Sequence, residues 1–244
     1  MNFTALALGI IAFLFREQLG VLLRQTGWLG GRRSIRFEEK KMREIFNMND
    51  LSRMSTEPVV LRGFVQPPSL SKISRAELRA EYGGDRACVF TDTDDARSRE
   101  RRHLDSVVDE IEAAEASKVY ARALHDHRGL VHQSGVAECM KLWNPLAYAT
   151  SWIFERGSNS SVWFLSQNNT HSEVHCDATS SAFVMVEGEK RWDFWEPTNR
   201  MLPYGQRLNL AFDSELITFP EPDMKVTIYP GDVLLFPSMW WHRV

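Results

Sequence analysis

A His-x-Asp pair and one distant histidine are the residues of this sequence with the clearest capacity for chemistry. The pair is His175 and Asp177, and a second imidazole, His242, follows the strand-like run Asp232-Val-Leu-Leu-Phe236. Side chains alternate faces along a β-strand, so His175 and Asp177 would share one face. Two imidazoles and one carboxylate can hold Fe(II) on one face of an octahedron and leave three positions for other ligands. Because His-x-Asp pairs also occur as ordinary surface pairs, the assignment depends on further residues.

A glycine turn lies between two strand-like segments that follow this pair. The segments are Ala182–Val186 and Lys190–Trp195, and Gly188 lies in the Glu-Gly-Glu stretch between them. Two β-rich runs joined by a short glycine-containing turn are typical of a β-hairpin. The sequence therefore predicts a hairpin here.

A lysine among aromatic residues on the second of these strands supports a ligand site. Lys190, Trp192 and Phe194 occupy alternate positions and would share one face. If that face is interior, the ammonium group needs an anionic partner, and a bound dicarboxylate would serve. The alternative is that Lys190 faces solvent and Arg191 faces the interior.

The order and spacing of these motifs resemble a known enzyme family. His-x-Asp, then Gly-x-Lys-Arg-Trp, then Tyr-Pro-Gly-Asp-Val-Leu-Leu-Phe-Pro-x-x-Trp-Trp-His are similar to the JmjC or cupin-like branch of Fe(II)- and 2-oxoglutarate-dependent oxygenases. The layout is close to that of the asparaginyl hydroxylases. Pro58–Phe64 resembles the family's opening strand, so the likeness covers residues 57–244. It implies a mainly β fold with flanking helices, a double-stranded β-helix or jelly roll.

The resemblance also implies roles for individual residues. The His-Asp-His set matches the family's iron ligands, and Lys190 matches the lysine that pairs with the distal carboxylate of 2-oxoglutarate. Ser172 and Tyr120 match positions whose hydroxyl groups help to hold that carboxylate, although Tyr120 could equally be a structural tyrosine. Some relatives carry a side-chain amide near the co-substrate, where this sequence has Ser181.

The reaction implied by the resemblance is an O2-dependent hydroxylation of a C–H bond, with Fe(II) as cofactor and 2-oxoglutarate as co-substrate. The product is a hydroxylated carbon, or a demethylated amine if the carbon is an N-methyl group. A single domain without a recognisable histone-reader module favours a protein side-chain hydroxylase, acting on a protein or peptide, over a chromatin demethylase, while a small molecule or RNA remains open. Two alternatives are a catalytically inactive, membrane-tethered cupin-like binding module and a zinc-dependent cupin, which would give Lys190 no role.

Composition limits the other classes of function. A chain of 244 residues with 43% apolar content is long enough for one domain with a sizeable core and an N-terminal extension. Its formal net charge of −3 gives no strong nucleic-acid signal, although a local basic patch is compatible with it. The oligomeric state is left open.

Residues 1–36 are predicted to be a hydrophobic anchor or targeting segment followed by a linker. Residues 2–23 are mostly apolar, and snorkelling of Arg16 would extend the apolar run to a length that spans a bilayer. This predicts membrane association, with the following arginines on the cytosolic side. An organelle transit peptide is the alternative, and the protein is otherwise expected to be cytoplasmic or organellar.

The main domain is predicted over residues 37–244. A barrel of the resembled family continues beyond its third iron ligand, whereas this sequence ends two residues after His242. We therefore expect the jelly roll to lack its last strand or strands.

Other segments predict the elements around these motifs. Charged, amphipathic Phe37–Asn47 predicts a helix, as do Ser74–Tyr82, with its Ser-Arg-Ala-Glu capping box, and Leu104–Ser117. The charged segment 91–103 predicts a solvated loop, with a mobile edge that contacts substrate as the functional alternative. His125-Asp-His127 predicts a polar surface turn rather than a second metal site, because the two histidines would point apart on a helix.

Overall fold

The computed structural model describes the chain from residue 42 onward, with gaps. The described ranges are 42–51, 56–67, 74–93, 96–113, 118–125, 136–143, 161–166, 170–172, 174–177, 180–197 and 221–244. The predicted N-terminal anchor over residues 1–36 lies outside them, as does His127 of the His-Asp-His turn, so both stay predictions. Within the described ranges, every helix is too short or too polar to cross a bilayer.

The described residues form three α-helices and twelve strands. The helices are α1 (Arg75–Tyr82), α2 (Leu104–Ala113) and α3 (Val136–Trp143), and a 3-10 turn covers Met48–Asp50. The strands are β1 (Arg43–Ile45), β2 (Val59–Leu61), β3 (Arg86–Thr93), β4 (Ala96–His103), β5 (Lys118–His125), β6 (Ser161–Ser166), β7 (His175–Cys176), β8 (Ser181–Val184), β9 (Lys190–Trp195), β10 (Met224–Ile228), β11 (Val233–Phe236) and β12 (Trp241–Arg243).

The strands form three four-stranded sheets, ordered β1-β2-β11-β8, β10-β9-β12-β7 and β4-β3-β5-β6. The β1–β2 pair is parallel and the other pairs are antiparallel. The first two sheets pack face to face, because Leu234 and Phe236 of β11 share a buried cluster with Trp192 and Phe194 of β9. The predicted mainly β jelly roll with flanking helices is confirmed.

Strand β11 is buried on both faces, which places it at the centre of the molecule. All four of its residues are buried, as the run Val-Leu-Leu-Phe predicts for a strand covered on both sides. Leu234 and Phe236 face the second sheet, whereas Val233 and Leu235 pack in a separate cluster with Trp143 of α3. The first sheet is therefore sandwiched between α3 and the second sheet.

The predicted hairpin around Gly188 is wrong. Strand β8 pairs with β11 in the first sheet, whereas β9 pairs with β10 and β12 in the second. Residue Met185, between them, exchanges backbone hydrogen bonds with Gly231 and Asp232 instead of with β9. Gly188 has a φ of +74°, a backbone conformation that glycine adopts without a steric penalty. The glycine turn therefore carries the chain from one sheet to the other.

Three other local predictions met different outcomes. The helix expected over Phe37–Asn47 is contradicted at Arg43–Ile45, which is strand β1, because parallel pairing with β2 overrides the local charge pattern. The loop expected over 91–103 is contradicted, because its first three residues end β3 and Ala96–His103 form β4, which pairs with β3. The capping box is confirmed, because the Ser74 hydroxyl accepts a hydrogen bond from the Glu77 N–H at the start of α1.

Asp232 joins the first sheet to the turn that precedes β11. Its carboxylate accepts hydrogen bonds from Arg62 Nη1 at 2.6 Å, from Gly63 N at 2.8 Å and from Tyr229 N at 3.0 Å. The Asp232 side chain is almost fully buried and Arg62 is largely so, whereas Glu44, the second ion-pair partner of Arg62, is more exposed. This buried carboxylate therefore holds the segment after β2 against the turn before β11.

Replacing Asp232 with Ala should strongly destabilise the fold, because it removes the more buried charged partner of Arg62 and leaves two backbone donors without their acceptor. We expect a loss of roughly 3 kcal/mol in the free energy of unfolding, measured by urea denaturation. The control is Glu44→Gln, which removes the more exposed end of the same network and should cost less than about 1 kcal/mol. Equal losses in both variants would contradict the central role of Asp232.

Candidate metal and co-substrate site

Two neighbouring strands of the second sheet position the two candidate histidines. His242 on β12 is the direct antiparallel partner of His175 on β7, and the two ring centroids lie 4.3 Å apart. Residues directly opposite each other in an antiparallel pair carry their side chains on the same face. On the other face, Cys176 and Val174 are buried in an apolar cluster. The predicted alternation of this segment is therefore confirmed.

Asp177 completes the set directly after β7. Its Oδ2 lies 3.8 Å from His242 Nε2, and one donor atom from each of His175, Asp177 and His242 lies within 4.8 Å of the others. The His242 side chain is 3% exposed and that of Asp177 is 41% exposed, so the set is closed on the histidine side and open on the carboxylate side. Three converging donors with one open side fit a metal ion that keeps free coordination positions.

His242 is held in the form that binds metals. Its Nδ1 lies 3.0 Å from the carbonyl oxygen of Trp240, and since a carbonyl can only accept, Nδ1 carries the proton and Nε2 keeps its lone pair. Burial is the main cause that lowers the pKa of His242 to about 3, the nearby charge of His175 adds to it, and the Trp240 hydrogen bond opposes it. The imidazole is therefore neutral at physiological pH, with Nε2 on the side of Asp177.

The turn before His242 also fixes Asp177. The N–H of Met239 donates to the backbone oxygen of Asp177 at 2.7 Å, and the N–H of Ser238 donates to Ser180 Oγ at 3.2 Å. Met239 has a φ of +69°, which is uncommon for a residue with a side chain. Its own packing into the apolar cluster with Cys176 holds it there. Two of the three donor residues are therefore joined by one short turn.

Aromatic rings enclose the buried side of the site. The centroids of Phe236, Trp192 and Phe194 lie 4.9, 5.7 and 6.0 Å from that of His242. All three residues belong to the core between the first two sheets. The apolar surroundings exclude water and so strengthen the electrostatic interactions of the donor atoms.

Lys190 lies on the same inner face of β9 as Trp192 and Phe194. It is partly buried, whereas Arg191 is 63% exposed, so the orientation with Lys190 inward is the observed one. Lys190 Nζ donates a hydrogen bond to Ser166 Oγ at 3.0 Å. Burial lowers the pKa of the lysine. A partly desolvated ammonium beside a hydroxyl group is suited to binding a carboxylate.

Ser166 is a residue that sequence reasoning missed. It lies at the end of β6, in the third sheet, and reaches Lys190 of the second sheet across the fold. No motif marks it, because its position depends on the packing of strands that are remote in sequence. Tyr120 of β5 is the direct backbone partner of Ser166, so the predicted tyrosine occupies a register position beside the Lys190 contact.

The two other serines of the prediction lie near the donor set. Ser172 Oγ accepts a hydrogen bond from Val244 N at 3.0 Å, and Ser172 N donates to Val244 O at 2.7 Å, so Ser172 is held beside the end of β12. Ser181 pairs with Phe236 at the start of β8. A role in holding the co-substrate remains a prediction for Ser172 and Tyr120.

Comparison with known proteins identifies the domain type. A family model described as "Cupin-like domain" matches residues 50–244. The chain is similar to HSPB1-associated protein 1 of Rattus norvegicus and of Homo sapiens, at 30% identity over 36% of this chain and 21% of each relative. It is also similar to the bifunctional lysine-specific demethylase and histidyl-hydroxylase NO66 of Drosophila pseudoobscura pseudoobscura, at 38% identity over 28% of this chain and 7% of that protein. The matches thus span about a fifth or less of the length of these relatives.

The convergence of the three donors predicts a specific divalent metal site. Asp177→Ala and His175→Ala should each weaken Fe(II) or Co(II) binding beyond the roughly 10- to 100-fold that loss of a supporting contact costs. Isothermal titration under anaerobic conditions would measure it. His171→Ala is the matched control, because His171 is an exposed histidine near the site in sequence but outside the donor set, and its variant should bind normally. Normal binding by Asp177→Ala would refute the assignment.

Proposed function

The chain belongs to the cupin-like domain family, and from this premise we propose that it is a Fe(II)- and 2-oxoglutarate-dependent dioxygenase that hydroxylates a C–H bond of a protein side chain. The observation that carries the proposal is the convergence of His175, Asp177 and His242, with Lys190 inward from the same sheet. An inward lysine on the same sheet suits an anionic co-substrate such as 2-oxoglutarate.

In the proposed reaction, His175, Asp177 and His242 hold Fe(II). When bound, the metal would supply the activation of O2. One oxygen atom would enter the substrate C–H bond, and the other would be incorporated into succinate as 2-oxoglutarate loses CO2. The neutral imidazole of His242 offers Nε2 as a donor, and the carboxylate of Asp177 offsets part of the metal's charge. The Trp240 carbonyl keeps the His242 ring in the orientation that this requires.

Lys190 is proposed to bind the distal carboxylate of 2-oxoglutarate. Its partial burial weakens competition from water, and Ser166 Oγ, already hydrogen-bonded to Nζ, holds the ammonium in place. The hydroxyl groups of Ser172 and Tyr120 are proposed to help to hold the same carboxylate by hydrogen bonds. Phe236, beside His242, helps to keep water away from the reacting atoms.

The substrate class is proposed from the names of the relatives alone. NO66 is named as a demethylase and histidyl-hydroxylase, and both of those activities modify side chains of proteins. HSPB1-associated protein 1 is named for its association with another protein. These names favour a protein or peptide substrate, with hydroxylation as the basic step and demethylation as its outcome on an N-methyl carbon.

The decisive test is an anaerobic titration of the protein with Fe(II) and 2-oxoglutarate, observed by absorbance. Chelation of Fe(II) by the keto acid should produce a metal-to-ligand charge-transfer band, which requires both the metal and the co-substrate. The Asp177→Ala protein should not form the band. Its absence from the folded unmodified protein would favour the inactive binding module, and a preference for Zn(II) without any effect of 2-oxoglutarate would favour a zinc cupin.

Lys190→Ala should weaken 2-oxoglutarate binding far more than Fe(II) binding. Loss of a charged hydrogen bond costs about 1.5–3 kcal/mol, so we expect the Kd for 2-oxoglutarate to rise about 10- to 100-fold. The Arg191→Ala variant is the control, because Arg191 is the adjacent but exposed cation. A second readout is selectivity: Lys190→Ala should no longer prefer 2-oxoglutarate to 2-oxobutyrate, which lacks the distal carboxylate. Equal losses of metal and co-substrate binding would instead indicate a role in folding.

A further inference from the structure

The third sheet has one face that packs on helices. Leu165 of β6 is buried in a cluster with Leu78 of α1 and Leu104 of α2. In the register of the sheet, Leu165 continues a row through Ala121 to Val89 of β3. The positions in this row, and in alternate rows parallel to it, therefore belong to the helix-covered face.

The opposite face carries a group of basic residues. Since residues alternate along each strand, its basic positions are Arg86 on β3, Arg97, Arg99 and Arg101 on β4, and Lys118 and Arg122 on β5. Asp92 of β3, between Arg97 and Lys118, is the one acidic residue at the described register positions of this face. Six Lys or Arg positions and one acidic position on a single sheet face stand out in a chain whose formal net charge is −3.

Arginines at the end of β4 support this division between the faces. Arg102 forms an ion pair with Glu110 of α2, as expected for a position on the helix-covered face. Arg101, the preceding residue, is exposed and has no ion-pair partner within the ranges that the structure describes. The helices therefore neutralise one arginine and leave its neighbour available to a ligand.

The basic face leads to the candidate metal site. One register row runs from Arg99 through Phe90 and Tyr120 to Ser166, and Ser166 Oγ accepts the hydrogen bond from Lys190. The neighbouring row runs from Arg101 to Phe164, whose ring centroid lies 6.2 Å from that of Phe183 in the first sheet. The same sheet face thus joins the co-substrate lysine at one end to the outer strand β4 at the other.

Strand β4 is an edge among the strands that the structure describes. In an antiparallel ladder about half of the N–H and C=O groups of an edge strand point away from the sheet, where an added strand can pair with them. An extended peptide that pairs in this way repeats its side chains every two residues, as β4 does. Acidic residues at alternate positions of such a peptide would lie beside Arg97, Arg99 and Arg101.

We propose that this basic face binds an acidic, extended peptide segment, which pairs with the edge of β4 and brings a neighbouring residue to the metal site. The inference rests on the proposed function, because the bound segment is then part of the protein substrate. A peptide is favoured over nucleic acid because the edge offers backbone pairing that only another polypeptide can use. The charge pattern also repeats at the spacing of a strand.

Peptide binding can be measured without metal or co-substrate. The probe is a fluorescently labelled peptide of alternating Glu and Ser, as long as β4, and fluorescence anisotropy of the full-length protein gives its Kd. Replacement of Arg97, Arg99 and Arg101 together by Gln should weaken binding roughly 10- to 100-fold, at about 0.5–1 kcal/mol for each ion pair that is lost. Lys225→Glu is the control, because Lys225 is an exposed cation on β10, the edge of another sheet. It should bind the probe normally.

A second variant and two other probes complete the test. If the triple variant does not fold, Arg101→Glu replaces it, because Arg101 is exposed, and binding should still fall severalfold. Proline at alternate positions of the peptide should abolish binding, since proline cannot donate to the β4 edge. Unchanged binding by the arginine variants would refute the proposal, as would tighter binding of a single-stranded oligouridylate of matching length.

Failure of this proposal is distinguishable from failure of the proposed function. Arginine variants that fold should still form the charge-transfer band with Fe(II) and 2-oxoglutarate. Conversely, the Asp177→Ala protein should lose the band and still bind the acidic peptide. Loss of both properties in the Arg101→Glu protein would contradict a separate docking surface.

Discussion

The pairing of β12 with both β7 and β9 is the constraint on which the site depends. His242 lies opposite His175 on one side and opposite Phe194 on the other, so one strand sets the separation of the histidines and the aromatic surroundings of both. Because side chains alternate strictly, a shift of β12 by one residue would turn His242 toward the opposite face. The Met239 turn, hydrogen-bonded to the backbone of Asp177, helps to prevent such a shift.

The environment of the site suits each side chain to a different charge state. His242 is nearly inaccessible, and burial keeps its imidazole neutral, as metal binding requires. Asp177 is more exposed and keeps its carboxylate close to solvent. Lys190 is intermediate: burial lowers its pKa, but Ser166 hydrogen-bonds to its ammonium. The three side chains thus differ in burial within a short distance of each other, with His242 the most enclosed.

Much of this arrangement was predictable from the sequence, because strand alternation is a local property. It placed His175 with Asp177 and Lys190 with Trp192, and the Ser-x-x-Glu pattern located α1. The choice of strand partner is not local, and here the predictions failed. Strands β8 and β9 join different sheets, and the charged residues of β4 pair with β3 instead of forming a loop. Ser166 escaped notice for the same reason, since only the packing of the third sheet against β9 brings it to Lys190.

The contact between Arg62 and Asp232 also has a bearing on how the protein is made. These residues lie 170 positions apart, and the adjacent strand β2 finds its antiparallel partner in β11. During synthesis, the apolar run Val-Val-Leu of β2 must therefore wait until β11 has left the ribosome before the two strands can pair. Such distant pairing slows folding and leaves apolar, aggregation-prone strands exposed until the partner strand has been made. Expression at reduced temperature should therefore favour recovery of the folded protein.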